Sequence, residues 1–118
     1  MEFKLAITHT AGVSLLKVLE KKIDMTDTVD LKEKIFLEIA NGNARIVLDL
    51  SNVEEIDSSG LGALLFGKRQ ANAAKGDLVL LNANKKIKTI LRIAQLSHVF
   101  VTFDKPEAAI DFLNNPEP

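Results

Sequence analysis

Phe3, Leu5 and Ile7 alternate with polar or small residues, the period of a strand. Residues 8–12 read as a turn, and residues 13–20 as a second strand with Val13, Leu15 or Leu16, and Val18 or Leu19 available to a core. Two such runs joined by a short glycine-containing loop predict a hairpin. The period then changes. Leu31, Ile35 and Ile39 recur every four residues with Val29, Phe36 and Ala40 beside them, which predicts a helix with one apolar face, ending at Ala40. Thr26, Asp27 and Thr28 offer capping oxygens at its start, and Gly42 is the natural left-handed cap after its end. Residues 45–50 show almost no alternation, as expected of a strand covered on both faces.

Leu61, Leu64, Leu65 and Phe66 predict a second helix to about residue 75, closed by Gly76, and residues 78–81 form another buried strand. Asn82-Ala83-Asn84 opens a third helix with Ile87, Ile90, Leu91 and Ala94 on one face. Residues 99–101 are the last strand. Asp104 or Lys105-Pro106 starts a terminal helix carrying Ala109, Ile110 and Leu113, with proline tolerated in a first turn. Residues 114–118 are expected to fray. The order β-β-α-β-α-β-α-β-α implies an α/β domain with a mainly parallel sheet of four to five strands and an N-terminal β-hairpin. With no linker, repeat or low-complexity tract, residues 1–118 read as a single domain.

Composition narrows the function. A chain of 118 residues suits one core, and its net charge of −1 gives no overall pull toward nucleic acid or an anionic membrane. Trp and Tyr are absent, which removes the usual stacking platforms for single strands. There is no Cys, so disulfides and thiolate metal sites are excluded. The start of the chain lacks the basic flank and long apolar core of a signal peptide, and no run is long enough to span a bilayer. A cytoplasmic domain with no nucleic-acid or membrane partner is expected.

Candidate chemistry concentrates in one stretch. Ile46-Val47-Leu48-Asp49-Leu50 leads through an acidic loop, Glu54-Glu55, to Ile56-Asp57-Ser58-Ser59-Gly60-Leu61-Gly62. Ser58 thereby falls at a helix N-terminus, where backbone N–H groups lack partners and negative charge is favoured. Ser58 or Ser59 can be a helix cap, with Gly60 allowing tight helix–strand packing. Ser58 can equally be a phosphate acceptor at the carboxyl end of a parallel strand, where open α/β sheets carry ligands. The residues by themselves leave both readings standing.

Rival chemistries lack their parts. Asp57 as a receiver phosphoaspartate needs an acidic pair after the first strand, where the chain has Thr8-His9-Thr10. Asp57 stands where the first glycine of a Gly-x-Ser-x-Gly elbow around Ser59 belongs. His9 and His98 have no evident carboxylate partner and read as solvent or turn residues outside any metal cluster. No general base is visible for Ser58 and no Gly-rich phosphate loop, so neither an enzyme nor a cofactor is expected. Lys85, Lys88 and Arg92 share a face of the third helix, read as solvated, with a dock for an acidic partner as the lesser option. Gly62 and Gly67 cost the second helix about 1 kcal/mol each relative to Ala, which close packing on the sheet would explain.

The Asp-Ser-Ser-Gly-Leu-Gly run after its strand resembles the signature of anti-sigma factor antagonists, the stand-alone STAS domains of bacteria. The resemblance covers nearly the whole chain: Ile23-Asp24 sits at that family's turn, Gly76-Asp77-Leu78-Val79-Leu80 at its fourth strand, and residues 87–103 resemble its third helix and last strand. Lys21 and Lys22 depart from the usual turn. The resemblance implies a STAS-type fold and a phosphorylation site at Ser58. By the same resemblance, the partner kinase that would modify it is itself the anti-sigma factor, bound by the unphosphorylated form so that the sigma factor is released, and a serine phosphatase would reset the cycle. It also implies docking through Asp24, Asp57, Ser58, Ser59, Gly60 and Leu61. Asp24 in its own right reads as a turn or cap residue. A phosphoryl group adds roughly −1.5 to −2 charges, here in an acidic patch, but the helix N-terminus offsets part of that cost within the domain, so the larger effect should fall on the partner surface rather than on the fold. The alternative is a STAS scaffold subunit that does not switch, in a lipid-transport or stress-signalling complex.

Overall fold

The computed structural model describes residues 3–116. Its first two strands, β1 (Leu5–Thr10) and β2 (Val13–Val18), are joined by Ala11 and Gly12 alone. Both turn residues are left-handed, at φ 53° and 78°, the twist that lets a two-residue loop match the flanking strands. The remaining elements are β3 (Lys22–Ile23), α1 (Thr28–Ala40), β4 (Arg45–Asp49), β5 (Glu55–Ile56), α2 (Ser58–Ala73), β6 (Asp77–Leu81), α3 (Lys85–Ile93), β7 (Thr102–Phe103) and α4 (Pro106–Asn114). Compared with the order expected from the sequence, β3 and β5 are additional.

The main sheet has five strands in the order β1-β2-β4-β6-β7. Only β1 is antiparallel, paired with β2; the other neighbours are parallel. Ile46, Val47 and Leu48 of β4 and Leu78, Val79 and Leu80 of β6 are fully buried, which accounts for their unbroken apolar runs. One face carries Leu16, Ile46, Leu48, Leu78 and Leu80 against Leu31 and Ile35 of α1, Leu64 of α2 and Ile87 and Leu91 of α3. The other carries Val13, Val47, Val79 and Leu81 against Ala109 and Leu113 of α4. The molecule is a three-layer sandwich.

Several local expectations are corrected. The inward face of α1 is Leu31, Ile35 and Glu38, whereas Val29 and Phe36 are exposed at 70% and 52%. The last strand is displaced from residues 99–101 to Thr102–Phe103. The N–H groups of Val99 and Phe100 both bond the Leu96 carbonyl in a turn, and pairing with β6 begins at the Val101 carbonyl, which accepts from Leu80. Left-handed geometry after α2 falls on Lys75 (φ 66°), not on Gly76. Gly76 is instead required for space, because a Cβ there would lie 2.0 Å from the Ala44 carbonyl oxygen. Close packing explains Gly67, whose Cβ would meet Ile35 and Leu78 at 2.9 Å, but not Gly62, which faces open space.

Asn114, expected to begin a frayed tail, ends α4, donates to the Ala11 carbonyl and accepts from Arg45, both at 2.9 Å. The expectations for residues 1–2 and 117–118 lie outside the described residues. No helix among the described residues is long and apolar enough to cross a membrane.

Candidate functional site

Two short parallel strands assemble the site beyond the carboxyl ends of the main sheet. In β3 and β5, Lys22 pairs with Glu55 and Ile23 with Ile56. The Asp57 N–H donates to the Ile23 carbonyl at 3.3 Å, and those of Glu54 and Glu55 to the Lys21 carbonyl at 2.7 and 3.2 Å. Asp24 and Asp57 therefore leave their strands side by side, although they are far apart in sequence. Lys21 and Lys22 supply this pairing.

Asp57, not Ser58 or Ser59, caps α2. Its backbone is extended and its Oδ1 accepts from the Gly60 N–H at 2.9 Å, while its carbonyl accepts from Leu61 at 3.0 Å. Ser58 becomes the first helical residue, exposed, and its hydroxyl has no hydrogen-bond partner among the described residues. The N–H groups of Ser58 and Ser59 are likewise left to solvent or to an anion. Gly60 makes this arrangement possible: a Cβ there would lie 2.5 Å from the Ile23 carbonyl oxygen and 2.6 Å from Ile56 Cγ2. α2 can start against β3 and β5 only without that atom. Ser59 is half-buried, and Gly60 and Leu61 are buried, so these last two lie beneath the surface that Asp57 and Ser58 present.

Asp24 is fixed by the residues after it. Its Oδ1 accepts from the Thr26 hydroxyl at 2.6 Å and the Thr26 N–H at 2.9 Å, and these bonds hold its carboxyl below the ordinary range. Burial, reinforced by the charge of Asp24, pushes Asp27 upward. Met25, next in the chain, is 71% exposed, and Val29 on the first turn of α1 is 70% exposed. The sequence pattern places Val29 beside the apolar face of α1 and gives no signal for Met25, because no alternation marks an isolated exposed residue.

The expected acidic patch is partly neutralised. Glu55 pairs with Lys86 at 2.9 Å and Lys22 at 3.4 Å, and hydrogen bonds from these two hold its carboxyl low. A groove of about 340 Å³ runs between Asp24 and Asp57 on one side and Lys86 and Ile90 of α3 on the other. Asn84, the cap of α3, accepts from the Ile87 N–H at 2.8 Å and donates to the Val53 and Glu54 carbonyls at 3.3 and 3.2 Å. α3 thereby holds the loop leading to Ser58, a role that a capping asparagine does not advertise in sequence.

His9, read as a solvent or turn residue, has a carboxylate partner after all: its Nε2 lies 2.8 Å from Glu38 Oε1. The Ser14 hydroxyl donates to the same oxygen at 2.8 Å. Glu38 is 8% exposed. Burial pushes its carboxyl up, but the bonds from His9 and Ser14, the His9 charge and Asn43 outweigh it and hold the group low. Ser14 pairs with Ile46 near the start of β4, whereas Ser58 lies beyond the carboxyl ends of the strands. The cluster is thus at the far end of the sheet from Ser58 and joins the hairpin to α1.

The STAS domain family model matches residues 4–109. The chain belongs to the STAS domain family. A candidate anti-sigma factor antagonist of Bordetella bronchiseptica, BtrV, is 26% identical over 106 residues, 90% of either chain. An anti-sigma factor antagonist from Mycobacterium paratuberculosis superposes with a TM-score of 0.83 at 20% identity, over 97% of this STAS domain and 96% of that chain. SpoIIAA in its unphosphorylated form gives 0.72 at 25% identity, over 97% and 99% of the two chains. The Bacillus cell fate determinant SpoIIAA in the phosphorylated form gives 0.70 at 23%, over 93% and 97%.

Proposed function

We propose that this STAS domain is an anti-sigma factor antagonist: unphosphorylated, it binds a serine kinase that doubles as anti-sigma factor, and phosphorylation at Ser58 ends that binding. One observation carries the reading. Asp57 supplies the helix cap, which frees the Ser58 hydroxyl, exposed and without a partner, to accept a phosphoryl group. The names of the relatives, and the existence of SpoIIAA in both phosphorylated and unphosphorylated forms, support the same role.

The docking rim in this reading is Asp24, Asp57, Ser58 and Ser59, extended by Met25 and Val29, while Gly60 and Leu61 act beneath it by fixing the start of α2. A dianionic phosphoryl group on Ser58 would meet the free N–H groups of Ser58 and Ser59 and the positive end of α2. Glu55, occupied by Lys22 and Lys86, adds little opposing charge. The modified domain therefore keeps its fold. The partner bears the cost: a phosphate buried against a surface built for Asp24, Met25 and Val29 disfavours binding by roughly 2–5 kcal/mol. The proposed role needs no catalysis by the domain itself, and among the described residues the Ser58 hydroxyl has no hydrogen-bonded base. A serine phosphatase restores the free hydroxyl, and the whole of residues 1–118 acts as one cytoplasmic unit without nucleic acid or membrane.

Paired capture from native cells with Ser58→Ala and Ser58→Asp baits tests the proposal. The alanine bait is expected to retain a kinase-like ATPase that the aspartate bait loses, and that ATPase should phosphorylate the unsubstituted protein at Ser58 by mass spectrometry. Identical partners on both baits, with no phosphate on Ser58, would sink it.

A further inference from the structure

We infer that the docking rim continues across the groove onto α3, whose outward face takes an acidic stretch of the protein partner with an apolar contact for Ile93. Lys85, Lys86, Lys88 and Arg92 make α3 basic, and no residue of the helix is acidic, in a chain whose charges nearly cancel. Among the described residues only Lys86 of these four forms an ion pair. Lys85, Lys88 and Arg92 are exposed and unpaired. Ile93, at 74%, is the most exposed large apolar side chain of the described residues.

Helical geometry joins these residues to the phosphosite. At about 100° per residue, Ile87 and Leu91 face the core. Turning from the core toward the groove, Ile90 and Lys86 come first, then Ile93, then Thr89, and then the strip of Lys85, Arg92 and Lys88. Ile90 and Lys86 share the groove with Asp24 and Asp57, so the outward face that runs from Lys86 through Ile93 and Thr89 to Lys85 and Arg92 borders the groove, while Lys88 turns to the opposite flank beside Ser97, Phe100 and Thr102. An exposed isoleucine beside unpaired cations fits a mixed apolar and charged interface better than a merely solvated face. The charges select an acidic partner surface, complementary to α3 and opposite in sign to what Asp24 and Asp57 select. Asn84 and Lys86 also fasten α3 to residues 53–55, so a partner seated on α3 steadies the loop that presents Ser58.

This surface rests on the Ser58 reading only for which partner carries the acid. Its charge is testable apart from that reading, by titrating the isotope-labelled protein with octaglutamate and following backbone amides. Saturable shifts are expected over residues 85–93, with affinity falling on the order of tenfold in Lys85→Glu/Arg92→Glu. Both substituted side chains are exposed, and the variant's spectrum reports directly whether it is folded. Shifts absent from α3, or centred on Arg45 and Lys75, overturn the inference. So does binding to phosphatidylglycerol vesicles without binding to octaglutamate, which would make the face a lipid surface. For the kinase retained by Ser58→Ala, the double variant should bind about tenfold more weakly. Unchanged affinity there, alongside loss on Ser58→Asp, removes the α3 dock and leaves the Ser58 switch standing.

Discussion

Asp57, Ser58 and Gly60 divide one task among three neighbours: capping the helix, presenting the hydroxyl and letting the backbone approach. Substituting Asp57 by Ala removes the acceptor for the Gly60 N–H and should cost about 1 kcal/mol. Ser58→Ala should stay within about 0.5 kcal/mol of the parent, as an exposed residue without side-chain bonds. Urea unfolding of the two variants separates the roles; equal losses would mean that Ser58 also caps. Gly60→Ala should cost more, about 1–3 kcal/mol, because the new Cβ meets the Ile23 carbonyl oxygen at 2.5 Å and a backbone atom has little room to give. Asp and Ser are equally good caps, so the stretch as written left the choice open. The extended backbone of Asp57 and its bond to Gly60 decide it.

At the scale of elements, the long periodic helices and the buried strands β4 and β6 were legible, because their side chains answer to one dominant environment. The short pieces were not. β3 and β5 have two residues each, too few for any period, and exist because they pair with each other. The stripe on α1 was misjudged in rotation. Val29 and Phe36 are apolar yet exposed, while Glu38 is charged yet buried, since Ser14 and His9 on the hairpin satisfy its carboxylate. Glu38→Ala should destabilise by about 2 kcal/mol, leaving the buried Ser14 hydroxyl without its acceptor. The folded-state pKa of Glu38 lies below its unfolded value, so between the two the unfolded chain binds more protons and stability rises with pH. The contribution is complete above the ordinary carboxylate range and is lost as pH falls through the lower folded value. Unfolding free energies across that acid range should fall less steeply in His9→Ala than in the parent; parallel curves would show that His9 does not hold the carboxylate down.

For the whole molecule, the three-layer sandwich brings the candidate docking residues to one end of the parallel sheet. It sets Asp24, Asp57, Ser58 and the α3 groove together at that end, while the Glu38 cluster and the Asn114 bridge tie down other parts of the fold. Phosphorylation is therefore expected to leave the fold in place. In the modified protein, amide shifts should concentrate in residues 24–29 and 55–62 and leave β1, β2 and α4 unchanged, and spread across the sheet would argue for refolding. The decisive quantity is the affinity of the unmodified and Ser58-phosphorylated protein for the kinase, measured side by side by calorimetry. A loss of 2–5 kcal/mol in binding corresponds to roughly 30- to 5,000-fold weaker affinity on phosphorylation. Equal affinities of the two forms would contradict the switch and leave Ser58 as no more than the first residue of a helix.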